Sequence, residues 1–235
     1  MNKKKPKLVA LTGAGISAES GIATFRDAGG LWEGYKIEDV ATLEAWNKNP
    51  SLVQNFYNER RVSVINAQPN GAHLELVKLE LDFEVHIVTQ NVDDLHERAG
   101  SKNILHLHGE IMKSRSTANE NLTYELTNSF INMGDKCALG SQLRPHIVWF
   151  GEAVPMIDNA AKQVSEADIL VVIGTSLQVY PAAGLLHYFS PQKPLFLVDP
   201  NPQITARANL TIIEKNAVKG MKELSRLLKD FKVWN

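Results

Sequence analysis

A glycine-rich run, Gly13-Ala14-Gly15-Ile16-Ser17-Ala18-Glu19-Ser20-Gly21, follows a short apolar segment. Glycines permit a tight turn close to a pyrophosphate, and the first N–H groups of a following helix face the anion. A tight turn without a ligand is the alternative. The run departs from the dehydrogenase pattern at Ala18 and in its late third glycine, and no acidic residue ends a second strand about 20 residues on. We therefore expect dinucleotide binding without ordinary hydride transfer.

The segment Thr24-Phe25-Arg26-Asp27-Ala28-Gly29-Gly30-Leu31-Trp32 combines two glycines with an arginine and two aromatic residues. This composition indicates a mobile flap that covers a ligand. A surface loop anchored by its aromatic side chains explains the same residues.

Polar groups also follow a predicted strand at 85–89, where Gln90, Asn91 and Asp93 occur together. Amide and carboxylate groups at that point hydrogen-bond a carboxamide and ribose hydroxyls. Helix capping by Asn91 or Asp93 is the alternative.

Two histidines, His106 and His108, alternate on a predicted short strand and so are expected to share one face. The ordinary pKa of histidine suits general-base chemistry at neutral pH. A structural histidine is the alternative, although the expected fold brings this strand near the Gln90 segment.

A second loop of the phosphate- or ribose-binding type begins at Gly174-Thr175-Ser176, directly after the apolar run 169–173. Asn201 adds a polar group after the next strand. The same edge of a sheet is therefore expected to collect several polar loops.

The elements that position these groups alternate between strand and helix. Strands are predicted at 8–12, 85–89, 146–150, 169–173, 195–198 and 210–213, and helices at 51–65, 71–81, 156–166 and 217–231. This alternation predicts an α/β, Rossmann-like doubly wound parallel sheet, with ligands beyond the carboxyl ends of its strands. Residues 111–142 lack periodicity, so we expect a small inserted module there, with 1–110 and 143–235 forming the nucleotide-binding domain.

Composition narrows the class of protein. Hydrophobic residues make up 44% of the 235 residues, and the net charge is −1, so neither nucleic acid nor an anionic membrane is expected as a partner. No apolar run approaches the ~18 residues of a membrane span. A single cysteine, Cys137, excludes an internal disulfide framework and a cysteine-rich zinc site. We expect a cytoplasmic monomer.

Taken together, the motifs resemble the sirtuin family over nearly the whole chain. Six stand in the family's order: Gly13-Ala14-Gly15-Ile16-Ser17, Gly21-Ile22-x-Thr24-Phe25-Arg26, Thr89-Gln90-Asn91-x-Asp93, His108-Gly109, Leu143-Arg144-Pro145-His146-Ile147-Val148-Trp149-Phe150-Gly151-Glu152 and Gly174-Thr175-Ser176. The resemblance implies a lysine deacylase that consumes NAD as a co-substrate and acts on acylated lysine side chains of proteins.

The resemblance also implies residue roles. His108 would be the general base, and Asn91 and Asp93 would hold the nicotinamide and its ribose, with Gln90 beside the ribose. Val148, Trp149, Phe150, Gly151 and Glu152 would offer a strand edge to the substrate peptide. The other expected contacts to the dinucleotide are Gly13, Ala14, Gly15, Ser17, Glu19, Thr24, Phe25, Arg26, Gly174, Thr175, Ser176, Asn201 and Ala217.

Tyr57 and Arg60 are three residues apart on a predicted helix and so share a face. They match the Tyr-x-x-Arg pair of the sirtuin class that removes succinyl and malonyl groups, and Ala41 matches the small residue that widens its acyl pocket. A guanidinium grips a carboxylate through two hydrogen bonds, and a phenol adds a third. The alternative is that Arg60 and Arg61 are solvated surface arginines.

One feature departs from the family. The small module of sirtuins holds zinc through two Cys-x-x-Cys pairs, but here those positions are Ser116 and Asn119, then Lys136 and Leu139, with Cys137 one place out of register. We therefore expect no zinc and a module held by packing and hydrogen bonds, with less rigidity than its relatives.

Two other functions share the same residues. One is NAD-dependent transfer of ADP-ribose to protein, which the retained His108 disfavours. The other is a non-catalytic sensor of NAD or ADP-ribose, which the intact catalytic-type residues disfavour.

Overall fold

A computed structural model describes residues 4–24, 31–32, 34–126, 130–204 and 207–231. Phe25 and Arg26, two of the expected dinucleotide contacts, lie outside these ranges. The strands are β1 (Lys7–Thr12), β2 (Leu31–Trp32), β3 (Tyr35–Lys36), β4 (Glu84–Thr89), β5 (Ile104–His106), β6 (Gly109–Ser116), β7 (Thr123–Glu125), β8 (Leu143–Ile147), β9 (Ile169–Ile173), β10 (Leu195–Val198) and β11 (Leu210–Ile213).

The α-helices are α1 (Ile37–Val40), α2 (Leu43–Lys48), α3 (Pro50–Asn66), α4 (Gly71–Leu79), α5 (Leu95–Ala99), α6 (Ile157–Glu166) and α7 (Ala217–Phe231). Shorter 3₁₀ turns cover Ala14–Ile16, Ala18–Ser20 and Ala182–Tyr188. Within the described ranges, no helix combines the length and the apolar composition that a membrane crossing requires.

The main sheet has six parallel strands in the order β11-β10-β9-β1-β4-β5. Counted along the chain, these strands stand in the order 6-5-4-1-2-3, which is the doubly wound Rossmann order. The predicted fold class is therefore confirmed. The winding direction reverses between β1 and β9, so the ligand crevice of this architecture lies beyond the carboxyl ends of those two strands.

Both faces of the sheet are buried, because successive side chains of a strand point to opposite sides. Leu8 and Ala10 of β1 face the cluster formed with α4 and α7, which includes Leu76 and Met221. Val9 and Leu11 face the cluster formed with α6 and the 3₁₀ turn 182–188. The strands are thereby fixed from both sides, and so are the loops that follow them.

A small antiparallel sheet, in the order β7-β6-β8, lies apart from the main one. A third core cluster joins it to helices α1 to α3 through Ile111, Ile147, Trp149, Phe56 and Tyr57. The strand predicted at 146–150 as part of the main series is wrong in both place and partner, because it spans 143–147 and pairs with β6. The small sheet thus draws on residues either side of 111–142, and the division into domains at those boundaries stays a prediction.

The chain after β1 also differs from the prediction. Instead of a helix whose first turn faces an anion, two three-residue 3₁₀ turns follow, and Gly21 ends the second with a φ of +85°. A 3₁₀ turn suits this short glycine-rich run because it closes a tighter ring than the α-helix does. The expected helix N-terminus under a phosphate is therefore absent at residues 14–20.

Candidate functional site

The loops after β1 and β9 interlock at the switch point of the sheet. The N–H of Gly13 donates to the carbonyl of Ile173 at 3.0 Å, and that of Gly15 donates to the carbonyl of Gly174 at 2.8 Å. A Cβ on Gly15 would lie 2.6 Å from the Cα of Gly174, and one on Gly174, whose φ is +60°, would lie 2.5 Å from the carbonyl carbon of Gly15. Such distances are forbidden contacts, so these two glycines are required by the loop contact itself.

A buried polar cluster joins the β1 loop to the loop after β4. The Ser17 hydroxyl donates to the Asp93 carboxylate at 3.1 Å and accepts from the Asn91 side-chain amide at 3.2 Å. Asp93 also accepts from the backbone N–H of Leu95 at 3.2 Å. Burial raises the pKa of Asp93, while the bonds from Leu95 and Ser17 oppose that shift. Three expected site residues are therefore brought together by direct hydrogen bonds.

Gln90 connects all three loops of the crevice. Its backbone N–H donates to the carbonyl of Thr12 at 2.9 Å, and its side-chain amide donates to the Thr175 hydroxyl at 3.1 Å. Its own carbonyl lies 3.0 Å from Nδ1 of His108. The amide side chain therefore passes the end of β1 and reaches the loop after β9, where the crevice is expected.

His108 is a neutral ring with a defined tautomer. A carbonyl oxygen only accepts, so Nδ1 carries the proton that faces Gln90, and Nε2 is the unprotonated nitrogen. Burial lowers the pKa of His108, and the bond to Gln90 offsets only part of this shift. An unprotonated Nε2 at neutral pH is the form that a general base requires.

His106 differs from His108 in its charge. Its Nδ1 lies 3.0 Å from the carbonyl of Asn91, and its Nε2 lies 2.8 Å from a carboxylate oxygen of Glu97. Both partners accept, so both ring nitrogens carry protons. Burial opposes this charge, but Glu97, the Asn91 carbonyl and Glu110 together outweigh burial and raise the pKa of His106. The protonated His106 ring therefore donates a hydrogen bond to the backbone carbonyl of Asn91.

The expected placement of the two histidines on one strand face is only partly correct. β5 ends at His106, and His108 lies in the bend that follows. The two rings nevertheless reach the neighbouring carbonyls of Asn91 and Gln90. Sequence alternation places side chains correctly only while the strand continues.

The remaining expected contacts lie around the crevice with varied exposure. Glu19 accepts the backbone N–H of Val218 at 2.8 Å and so caps the start of α7, where Ala217 is buried. Thr24 and Ser176 are half-buried, and Asn201 is exposed in a turn closed by Asp199. The expectation that these residues contact a dinucleotide stays a prediction.

Tyr57 and Arg60 lie on α3 as predicted, and neither is a surface residue. Tyr57 is 1% exposed and Arg60 is 5% exposed, so the alternative of a solvated arginine is wrong. The guanidinium carbon of Arg60 lies 4.2 Å from the ring centroid of Trp32. The neighbouring Arg61 instead donates to the carbonyl of Ile111 and to Asn58, and burial lowers its pKa to about 10.

The segment 148–152 folds into a turn rather than continuing β8. The N–H of Val148 donates to the carbonyl of His108, and that of Phe150 donates to the carbonyl of Ala41, at 2.9 and 3.0 Å. The N–H of Trp149 donates to Glu152 at 2.8 Å. These three donors are already used, so pairing of a peptide with them requires the present bonds to open. The predicted peptide contact at 148–152 stays a prediction.

Glu152 anchors an ion-pair cluster that the sequence did not reveal. It accepts from Arg144 at 2.8 and 3.0 Å and from Arg115 at 3.1 Å. Burial opposes ionisation, but Arg144 and the Trp149 N–H outweigh it and lower the pKa of Glu152. Arg115 and Arg144 lie on β6 and β8, so the cluster ties the small sheet to the turn at 148–152.

A hydrogen-bonded triangle occupies the place where the resemblance would put zinc. The Ser116 and Ser141 hydroxyls lie 2.9 Å apart, and the Cys137 sulfur lies 3.2 Å from the first and 3.0 Å from the second. One thiol and two hydroxyls do not fit the four N or S ligands of a structural zinc site. Within the ranges that the structure covers, no group of three His, Cys, Asp or Glu side chains is placed to hold a metal ion.

A doubly wound sheet whose glycine loops meet at the switch point is the architecture of dinucleotide-binding proteins. Within that class, the chain belongs to the Sir2 family, which residues 13–181 match.

The relatives cover nearly the whole chain. An NAD-dependent protein deacylase of Bacteroides thetaiotaomicron is 53% identical over an alignment of 227 residues that covers 94% of this chain and 97% of that protein. The crystal structure of a Sir2 homologue in complex with NAD is 41% identical with a TM-score of 0.86, over 96% of this chain and 90% of the other. A mutant Sir2 with a deacetylated p53 peptide and 3′-O-acetyl ADP-ribose is 30% identical with a TM-score of 0.81, over 95% and 94%.

Proposed function

We propose that this chain is an NAD-dependent protein lysine deacylase that prefers acyl groups ending in a carboxylate. The observation that carries the proposal is the neutral His108 ring, whose Nε2 is unprotonated at the edge where the loops after β1, β4 and β9 meet. The solved Sir2 relative with NAD and the curated relative named as an NAD-dependent protein deacylase support the co-substrate and the reaction.

In the proposed reaction, the acyl oxygen of the modified lysine bonds to the ribose carbon that carries nicotinamide, and the bond to nicotinamide breaks. Nε2 of His108 accepts the proton of a ribose hydroxyl, whose oxygen then bonds to the acyl carbon. Water completes the release of free lysine and O-acyl-ADP-ribose. Asn91 and Asp93 hold the nicotinamide and ribose, since Ser17 fixes both side chains.

The acyl preference rests on Tyr57, Arg60 and Ala41. All three are buried, and α3 holds the first two one turn apart. A guanidinium binds a carboxylate through two charge-assisted hydrogen bonds, and a phenol on the same helix face adds a third. Burial raises the pKa of Tyr57, and the positive charge of Arg60 opposes that rise, as expected for two groups near each other. Succinyl and malonyl chains supply the matching carboxylate, whereas acetyl does not.

The test compares succinyl-, malonyl- and acetyl-lysine peptides, with nicotinamide release as the readout. We expect Arg60→Met to lower kcat/KM for the succinyl peptide by about 10- to 100-fold relative to the acetyl peptide, because a charge-assisted bidentate contact is lost. Arg60→Lys is the matched control, since it keeps the charge but not the two parallel bonds, and its effect should be intermediate. Equal losses on both peptides would reject the acyl preference.

A separate measurement addresses the reaction itself. Nicotinamide release should require an acylated peptide, and the acyl group should be recovered on ADP-ribose. Label from radioactive NAD that appears on protein without acyl-lysine would instead indicate ADP-ribose transfer. Turnover that is unaffected by His108→Ala would indicate that the base is elsewhere.

A further inference from the structure

We propose that Trp149 is a positioning residue for acyl selectivity, because its indole N–H fixes the hydroxyl of Tyr57. The indole Nε1 donates to the Tyr57 hydroxyl oxygen at 3.1 Å. The two rings lie 6.3 Å apart, and both side chains are buried in the cluster between α3 and the small sheet. This inference rests on the proposed preference for acidic acyl groups.

The direction of this hydrogen bond determines what Tyr57 offers to a ligand. Indole N–H is a donor only, so the phenol oxygen must be the acceptor. The Tyr57 proton therefore points away from Trp149 and is available to a carboxylate. Burial raises the pKa of Tyr57, although Trp149 and Arg60 oppose this shift, so the phenol keeps its proton at neutral pH. Trp149 thus commits Tyr57 to act as a donor.

The position of Trp149 is itself fixed by the ion-pair cluster. The guanidinium carbon of Arg144 lies 3.3 Å from the centroid of the Trp149 ring, a cation–π contact. The backbone N–H of Trp149 donates to Glu152, which also binds Arg144. Trp46 packs against the same ring at 5.5 Å. Contacts to both the backbone and the ring therefore limit the directions that the indole N–H can take.

The experiment is a double-mutant cycle on the intact protein with succinyl- and acetyl-lysine peptides. Trp149→Phe keeps an aromatic ring but removes the N–H, and Tyr57→Phe removes the hydroxyl that it binds. We expect Trp149→Phe to raise the ratio of KM for succinyl to KM for acetyl about fivefold, the equivalent of one hydrogen bond. In the Tyr57→Phe background, the same change should alter that ratio by less than about twofold.

Trp46→Phe is the matched control, because it removes an indole N–H from the same aromatic cluster without touching the Tyr57 hydroxyl. It should leave the KM ratio within about twofold of the wild type, and thermal unfolding of each variant reports damage to packing. If Trp149→Phe and Trp46→Phe change the ratio equally, or if the effects of Trp149→Phe and Tyr57→Phe simply add, the inference is overturned.

The two proposals fail in different ways. If Arg60→Met leaves the succinyl-to-acetyl ratio unchanged, the acyl preference itself is wrong. If Arg60→Met lowers selectivity but Trp149→Phe does not, the preference stands and only the role of Trp149 is wrong.

Discussion

Two histidines separated by one residue carry different charges because their partners differ. His106 faces a backbone carbonyl and the carboxylate of Glu97, so both of its nitrogens are protonated. His108 faces only a carbonyl among the bonds described, and burial lowers its pKa. Environments that push the pKa values of two neighbouring groups apart assign them different roles. His106 holds the Asn91 backbone, and His108 is left as the base.

The pKa of His108 predicts the pH dependence of the reaction. The base must be neutral, and its folded-state pKa lies below 6.5, so kcat/KM should rise with pH and level off before neutrality. The measurement is a pH–rate profile for an acyl peptide, where the acidic limb should have its midpoint below pH 6.5. His108→Ala should lower kcat by about 10²- to 10⁴-fold and remove this limb. A midpoint above pH 7 would contradict the role.

The parallel strands and the long helices could be predicted from the sequence because each carries a local signal. The apolar run at 169–173 coincides with β9, and the helical periodicity at 217–231 coincides with α7. A strand that is buried on both faces is a continuous run of apolar residues, so it can be recognised without knowing which strands it pairs with. The fold class followed from these elements.

The elements that were not predicted depend on distant contacts. β8 contains Pro145 and no alternation, and it forms only because β6 offers a strand to pair with. The apolar residues after it looked like a strand, but Trp149 is buried against Tyr57 and Trp46 instead. The first 3₁₀ turn after β1 packs against Gly174, some 160 positions later in the chain. The local sequence pattern contains none of these three contacts.

The triangle of Ser116, Cys137 and Ser141 predicts that the small sheet is stable without a bound metal ion. Purified protein should contain zinc far below one equivalent, and a chelator should leave Tm unchanged, because hydrogen bonds replace the metal ligands. Cys137→Ser should keep Tm near the wild-type value, since a hydroxyl continues the triangle. Cys137→Val should lower Tm by about 2–4 °C, because the hydroxyls of the buried Ser116 and the half-buried Ser141 each lose a partner. Stoichiometric zinc, or a fall in Tm with the chelator, would refute this.

At the scale of the whole molecule, the site is assembled by contacts that span the chain. Trp149 binds Tyr57 across 92 positions, and Glu19 caps Val218 across 199. The expected site residues came from motif resemblance, which preserves residue type and order. It does not show which hydrogen bonds orient them, so the link from Trp149 to Tyr57 and the opposite charges of His106 and His108 emerge only from the folded chain.

A pair of buried histidines lies next to the glycine-rich loop and makes the stability of the fold depend on pH. The rings of His73 and His96 are 4.9 Å apart, and neither is exposed to solvent. His73 accepts from the backbone N–H of Asn70, the residue that caps α4 and also binds the Ile16 carbonyl. His96 contacts the Thr12 hydroxyl at the end of β1. Both rings are therefore connected by hydrogen bonds to the glycine-rich loop, His73 through Asn70 and His96 through Thr12.

Burial lowers the pKa of His73 to about 4, and burial also lowers the pKa of His96 well below its ordinary value. Between pH 6.5 and 4 these two rings bind more protons in the unfolded chain than in the folded one, so their contribution to the free energy of unfolding falls as the pH falls. His73 alone accounts for about 2 kcal/mol of this loss between pH 7 and pH 5. The measurement is urea unfolding at those two pH values for the wild type and for His73→Gln, whose side chain retains the acceptor of the capping box. The variant should lose about 2 kcal/mol less than the wild type between pH 7 and pH 5. Titrating groups other than His73 and its neighbour His96 are common to both proteins and cancel in this comparison, so equal losses would show that His73 is not buried as a neutral ring.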